Sequence, residues 1–264
     1  MDKRFLTPGE IAEAIVNVSI KRAGLATKPC LLLGVLAGIF IGLGGLGNII
    51  FTQTLAGIDP GLAKFAGGVV FPVGLMLVVM CGGELFTGNN LMSLAVMEKK
   101  ISIGQMFRNW GLVYVANFIG SLFLVLLVFY SSTLTGDAAT KAIAITESKV
   151  ALTFSEAFFK GILCNILVVL AVWMATAAQD VVSKIFACWF PIMLFVLCGF
   201  EHSVANMFFI PMGMSLGADV AITQLIMNLI PVTLGNIVGG AIIIPFMYRS
   251  CYLNKKVKKT EKVR

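Results

Sequence analysis

The sequence is poor in charged residues and in histidine. Only 12% of its 264 residues are charged, and His202 is the single histidine. In soluble domains about a quarter of the residues are charged, so this composition excludes a soluble globular protein, a disordered tail and a collagen-like fibre. The apolar share is 58%. It favours an all-α polytopic membrane protein, in which each spanning helix needs about 20 apolar residues.

Several chemical signatures are absent as well. The six cysteines form no CxxC pair and the thirteen methionines have no regular spacing, so we predict no disulfides, no metal site and no cofactor. No HExxH or GxSxG pattern occurs, so we expect no enzyme. Seven of the 20 basic residues lie at or after Arg249, which fits a cytoplasmic anchor better than a nucleic-acid surface. We therefore expect a lipid bilayer and no nucleic acid as partner.

Six stretches are apolar and long enough to cross a bilayer. They are predicted at 29–51, 66–97, 104–131, 156–178, 184–212 and 222–249. If the N-terminus lies in the cytoplasm, inside segments hold 16 basic residues and outside segments hold 4. This bias predicts that both termini are cytoplasmic.

The flanking segments are more polar than the spans. Residues 1–28 contain an amphipathic helix, predicted over 7–24, whose mixed charges favour lying on the membrane. Residues 132–155 form a polar loop on the extracellular side, and 250–264 form a basic cytoplasmic tail. We expect one membrane domain, with its first repeat at 29–131 and its second at 156–249.

An internal repeat relates the two halves. Residues 81–89, CGGELFTGN, and residues 198–206, CGFEHSVAN, share the pattern C-G-x-E-x-x-x-x-N. NFIGS at 117–121 matches NIVGG at 236–240. Each copy has three spans, an odd number, so the second copy enters the membrane from the opposite side. The sequence thus predicts an inverted 3+3 repeat.

The repeated motif places Glu84 and Glu201 in the middle of the second and fifth spans. A charged side chain at that depth is tolerated only when it is buried in protein or lines a cavity. We therefore predict that both spans are broken and that their loops meet near the midplane. Each carboxylate is expected to structure its loop by accepting hydrogen bonds from backbone N–H groups that the break frees. Two continuous helices kinked at glycine are the alternative.

His202 lies in the second of these breaks, next to Glu201. Histidine is the side chain that changes charge near neutral pH, and a polar group at this depth marks a permeation pathway. Thr87 occupies the partner loop and is expected to face His202.

Four motifs together resemble the formate/nitrite transporter family of small-anion channels. They are GELFTGN at 83–89, GILCN at 161–165, FEHSVANM at 200–207 and NLIPVTLGN at 228–236. The resemblance implies an aquaporin-like six-span protomer, a homopentamer with one pore per protomer, and a place in the cytoplasmic (inner) membrane. It implies formate, nitrite or hydrosulfide as the solute, and the chain is most similar to the hydrosulfide branch. The aquaporin NPA signature itself is absent.

The resemblance also implies roles for individual residues. The polar pore or anion-binding positions are Thr87, Lys149, Asn165, His202 and Asn236. The outer constriction consists of Phe71 and Phe195, and the inner one of Leu75, Leu85 and Phe86.

Two other classes of membrane protein remain open on the sequence. A proton-coupled secondary transporter of formate or nitrite shares inverted repeats and broken helices with the predicted channel. A metal transporter that uses cysteine, methionine and His202 has little support, because carboxylates do not cluster and histidine occurs once.

Overall fold

A computed structural model describes residues 5–253, and almost every element in this range is a helix. The tail predicted from residue 250 lies mostly outside the described residues, as do residues 1–4. The helices are α1 (Pro8–Ala23), α2 (Thr27–Thr52), α3 (Pro60–Val70), α4 (Val73–Cys81), α5 (Phe86–Asn89), α6 (Met92–Met97), α7 (Ile103–Tyr130), α8 (Gly136–Val150), α9 (Phe154–Ala177), α10 (Val181–Leu197), α11 (Ser203–Ser215), α12 (Ile222–Ile237) and α13 (Ile244–Tyr248). π-helical turns at Val238–Ile243 and Arg249–Leu253 continue α12 and α13 into one long span.

Among the described residues, five helical segments are long and apolar enough to cross a membrane. They are Thr27–Thr52, Pro60–Cys81, Ile103–Tyr130, Phe154–Ala177 and Ile222–Leu253. The remaining span consists of α10 and α11, which are joined by a short non-helical loop. The fold is therefore the predicted all-α polytopic one with six spans.

The spans predicted at 66–97 and 184–212, the second and the fifth, are each broken by a non-helical loop, as predicted. Helix α4 ends at Cys81, and Gly82 follows with a φ of +84°. Helix α10 ends at Leu197, and Gly199 has a φ of +68° in the equivalent loop. A side chain is strained in this left-handed region, so glycine lets the chain leave each helix abruptly. The breaks exclude the alternative of two continuous kinked helices.

One amphipathic helix precedes the spans of each half, α1 in the first and α8 in the second. Helix α1 agrees with the predicted 7–24, and at its start the Thr7 backbone N–H donates to Glu10 Oε2 at 2.8 Å. The loop predicted at 132–155 is wrong in its secondary structure, because most of it is helix α8. Thr146 is buried on α8, and its hydroxyl donates to the Phe209 carbonyl at 2.8 Å, so one face of α8 packs on α11.

The spans within each half pack closely because glycines face the neighbouring backbone. A Cβ at Gly34 would lie 2.6 Å from that of Ala116, and one at Gly38 would overlap the Asn117 carbonyl. Helix α2 therefore approaches α7 closely, as small residues at a helix interface allow. In the second half, Gly161 meets the Val232 carbonyl in the same way.

Candidate functional site

One asparagine holds the first break. Asn117 Oδ1 accepts from the Phe86 backbone N–H at 3.0 Å, at the start of α5. Its Nδ2 donates to the carbonyls of Gly34 at 2.8 Å and Glu84 at 2.9 Å. The Phe86 N–H and the Glu84 carbonyl lie at the break and are thus paired by one side chain, as burial requires, and the bond to Gly34 ties the break to helix α2.

The second break has the same arrangement around Asn236. Its Oδ1 accepts from the Ser203 backbone N–H at 2.9 Å, and its Nδ2 donates to the carbonyls of Gly161 at 2.8 Å and Glu201 at 3.0 Å. Asn117 and Asn236 occupy equivalent places in the repeated motifs NFIGS and NIVGG. We call this three-bond arrangement the asparagine clasp.

The two carboxylates lie in the breaks, but their predicted donors are wrong. Glu84 accepts from Arg22 Nε at 3.1 Å and from Asn89 Nδ2 at 2.6 Å. Glu201 is the equivalent carboxylate of the second break. These donors are side chains rather than freed backbone N–H groups, because the clasp and nearby carbonyls already satisfy that backbone. The loop-structuring role itself fits the geometry.

Glu201 is paired in the same manner by a lysine. Lys149 Nζ lies 3.0 Å from both Glu201 oxygens, and Asn206 Nδ2 donates to Oε2 at 2.6 Å. The Lys149 side chain is 13% exposed, so it is a buried partner of Glu201 rather than a solvated loop charge.

His202 and Thr87 meet where the two breaks face each other. Thr87 Oγ1 lies 2.8 Å from His202 Nε2, and both residues are buried. His202 Nδ1 accepts from the Ala205 backbone N–H at 3.1 Å, where it caps the start of α11. Because Nδ1 accepts, the imidazole proton resides on Nε2, which donates to Thr87 Oγ1. The hydroxyl hydrogen of Thr87 remains available to a solute.

An apolar layer surrounds this pair. Phe71 and Phe195 pack edge to face at 5.6 Å between ring centroids, and the Phe195 ring stacks on His202 at 5.9 Å. Leu75 and Leu85 lie on the other side of a cavity of about 10 Å³ that His202 also lines. This volume is about what a single water molecule requires. The predicted constriction residues Phe71, Phe195, Leu75 and Leu85 are thus brought together around His202.

A wider vestibule opens on each side of the apolar layer. The outer vestibule, about 420 Å³, reaches Phe71, Phe195 and His202, and its basic lining residues are Lys64, Lys141, Lys149 and Lys160. The inner vestibule, about 520 Å³, reaches Leu75 and Leu85, and its basic lining residues are Lys21, Arg22 and Lys184. Both vestibules therefore favour anions over cations.

Comparison with known proteins identifies this architecture. The model of the family described as formate/nitrite transporter matches residues 9–250. The chain belongs to the formate/nitrite transporter family. It is 43% identical to a probable formate transporter of Methanothermobacter thermautotrophicus, across 97% of this chain and 100% of that protein.

Solved structures agree with the family assignment. The chain is similar to an FNT family ion channel, with a TM-score of 0.84 and 29% identity over 92% of this chain and 98% of the other. It is also similar to a pentameric formate channel with formate bound, with a TM-score of 0.78 and 36% identity over 87% and 98% of the two chains. Family membership confirms a multi-pass membrane protein that is not an enzyme.

Three of the predicted pore and constriction residues, Asn236, Asn165 and Phe86, make contacts between helices. Asn236 uses both ends of its amide in the clasp. Asn165 Nδ2 donates to Asn90 Oδ1 at 2.8 Å and to the Asn236 carbonyl at 2.7 Å. The Phe86 ring packs on Tyr114 with 4.9 Å between centroids. None of these three lines the cavity beside His202 or either vestibule, and the same holds for Thr87, which reaches the cavity through its hydrogen bond to His202.

The sequence patterns do not predict Arg22 or Asn117 as parts of the site. Asn117 had a signal, since its motif matches the one that contains Asn236. Asn109 and Asn228 also extend the two networks, because they accept from Asn89 at 2.9 Å and from Asn206 at 2.8 Å. Each asparagine pair follows the repeat, so the internal match is a signal for Asn109, Asn117 and Asn228, whereas Arg22 has none.

Proposed function

We propose that each protomer is a channel for small monovalent anions of weak acids, with formate as the principal solute. The observation that carries this proposal is the apolar layer of Phe71, Phe195, Leu75 and Leu85, which encloses His202 between two basic vestibules, with Thr87 Oγ1 at 2.8 Å from the imidazole. The name of the similar pentameric formate channel supports formate as the solute and a homopentamer as the assembly.

The layer selects against ions that cannot lose their charge. An unpaired anion in an apolar medium has a solvation cost on the order of tens of kcal/mol. A conjugate base of a weak acid can avoid most of this cost through a hydrogen bond or a transient proton. Chloride can accept a hydrogen bond but, as the conjugate base of a strong acid, takes up no proton near neutral pH, so it is expected to pass poorly.

The Thr87–His202 pair supplies the polar contact inside the layer. His202 Nε2–H donates to Thr87 Oγ1 at 2.8 Å, which orients the hydroxyl and leaves its hydrogen free. The anion accepts this hydrogen while it lies between the phenylalanine and leucine sides of the layer. His202 stabilises the anion through Thr87 or shares a proton with it, and the solute then enters the inner vestibule.

Lys149 attracts anions into the outer vestibule. Its ammonium group lines the outer vestibule and lies 5.4 Å from the Phe209 ring centroid. Glu201 neutralises part of this charge, so Lys149 attracts an anion without trapping it. The 16-to-4 distribution of basic residues supports an orientation with both termini in the cytoplasm.

Hydrosulfide is the second candidate solute. The cavity beside His202 has room for about one water molecule, which favours the smallest anions of weak acids. Hydrosulfide, with one heavy atom, meets this limit, whereas nitrite and formate have three heavy atoms each and pass only if the apolar layer widens. Flux through purified protein in liposomes should rank the three solutes and exceed chloride flux for each.

The same liposomes distinguish a channel from a proton-coupled transporter. Channel flux follows the formate gradient alone, whereas coupled transport saturates and continues against that gradient when a proton gradient is imposed. His202→Asn and Lys149→Ala variants test the proposed roles. Wild-type flux and pH dependence in both variants would refute them.

A further inference from the structure

Charges on the outer face are sorted by sign. Among the described residues, this face carries lysines in residues 52–65 and 132–160, and all four of them line the outer vestibule: Lys64, Lys141, Lys149 and Lys160. The carboxylates of the same segments, Asp59, Asp137, Glu147 and Glu156, lie outside that lining, and so does Asp219 on the same face. Glu201 is the acidic residue that does line it. The outer vestibule is therefore far more basic than the face around it.

The lysines converge from three helices. Lys64 lies on α3, Lys141 on α8 and Lys160 on α9. Lys64 is exposed, and Lys141 and Lys160 are half-buried, so water and ions reach all three. Lys149 already holds Glu201 at 3.0 Å, which leaves the charge of the other three to attract a solute. Glu156 lies one helical turn before Lys160 on α9 and offsets part of its charge.

The room and the charge of this vestibule exceed what a small monovalent anion needs. Its volume of about 420 Å³ is far larger than the cavity of about 10 Å³ beside His202. Since the Coulomb attraction grows with the charge of the ligand, a dianion gains about twice as much as formate from each lysine.

We propose that the outer vestibule is a binding site for small divalent oxyanions, of the class of sulfate and hydrogen phosphate, which occupy it and block it without passing. The cost of burying a charge in the apolar layer rises with the square of that charge, and a single proton leaves such a dianion still charged. Binding of the dianion depends only on the lysines, whereas its block of formate flux also rests on the proposed channel function.

Equilibrium binding of radiolabelled sulfate to the purified protein tests the site directly. Ionic strength is held constant with sodium chloride. We expect saturable binding of one sulfate per protomer, and about tenfold weaker binding in the double variant Lys64→Gln/Lys141→Gln, because two screened attractions are lost. The matched control is Lys99→Gln/Lys100→Gln, whose two lysines line a separate surface groove, and it should bind sulfate as the wild type does.

Formate flux gives the second readout. Sulfate added on the outer side should raise the formate concentration needed for half-maximal flux, and the Lys64→Gln/Lys141→Gln variant should need about tenfold more sulfate for the same block. Binding that does not saturate, or that is equal in the wild type and the double variant, would overturn the site. Phosphatidylcholine vesicles with and without phosphatidylglycerol separate free dianions from lipid phosphates: equal sulfate binding supports the proposal, and loss of binding with phosphatidylglycerol contradicts it.

The two proposals fail separately. If the protein passes no formate but binds sulfate through these lysines, the channel function is wrong and the anion site stands. If formate passes while sulfate neither binds nor blocks, the site is wrong and the channel function stands.

Discussion

The two broken spans share their supporting hydrogen bonds and differ in the side chains that meet the solute. Asn117 and Asn236 make the same three bonds, with lengths that differ by about 0.1 Å or less. At the first residue after each repeated glutamate, however, the first half has Leu85 and the second has His202. Two residues further along, Thr87 corresponds to Val204.

The residues that support the two breaks are the same in both halves, whereas the residues proposed to meet the solute differ. Both halves must satisfy the same backbone groups in a buried break, so the clasp residues are the same on each side. The solute meets one face of each break, and a single polar pair within an apolar layer is enough there. The positions where the halves disagree are therefore the ones to test for permeation.

The largest effect is expected when one clasp is removed. Asn236→Ala removes three hydrogen bonds and leaves the Ser203 N–H and the Glu201 carbonyl in the break without this partner, which should lower the free energy of unfolding by about 3–5 kcal/mol. Asn117→Ala should cost a similar amount, because it removes three equivalent hydrogen bonds. Thermal or denaturant unfolding in detergent measures both, and a cost below about 1 kcal/mol for either variant contradicts the clasp.

The second-largest effect is expected at His202, where the two halves differ most. His202→Leu makes this position equal to Leu85, and formate flux should fall about a hundredfold because the layer loses its polar contact. The Ala205 N–H also loses its cap, which costs about 1 kcal/mol. His202→Asn is the matched control, since its amide oxygen can still cap α11. Unchanged flux in the leucine variant would show that the imidazole is not used.

A smaller effect is expected at the other member of the pair. Thr87→Val preserves shape, matches Val204, and removes the hydroxyl that His202 orients, so flux should fall about tenfold. Thr87→Ser retains the hydroxyl and should stay near the wild type. If the valine and serine variants carry formate equally well, Thr87 only packs.

The smallest effects should distinguish the two basic partners. Lys149→Gln should lower formate entry from the outer side about threefold at low salt, and Arg22→Gln should do so from the inner side. Both differences should vanish at high salt, since counterions screen the vestibules. Flux measured from each side at two salt concentrations checks this, and a loss independent of side contradicts the assignment.

Much of the fold and part of the site follow from the sequence. The repeated glutamates reveal two breaks, since charge at that depth needs a special environment, and the match of the motifs brings Thr87 to His202. The partners of the glutamates are harder to predict. Arg22 precedes Glu84 by 62 residues, and no local pattern joins a surface helix to a loop in the membrane.

Two other errors have physical causes. Residues 132–155 are polar enough to resemble a loop, although Ala138, Ala142 and Thr146 recur at helical spacing and bury one face of α8. Phe86 is next to Thr87, but successive residues of a helix point in different directions, so the ring packs against α7 while the hydroxyl faces His202. Sequence proximity to a pathway does not place a side chain in it.

The cavity of about 10 Å³ beside His202 has a consequence for mixtures. It holds a single guest, so no neighbour is present to push the occupant onward, as happens in pores with adjacent sites. Two permeant species offered together must therefore take turns. Their combined conductance should vary smoothly with composition and pass through no minimum.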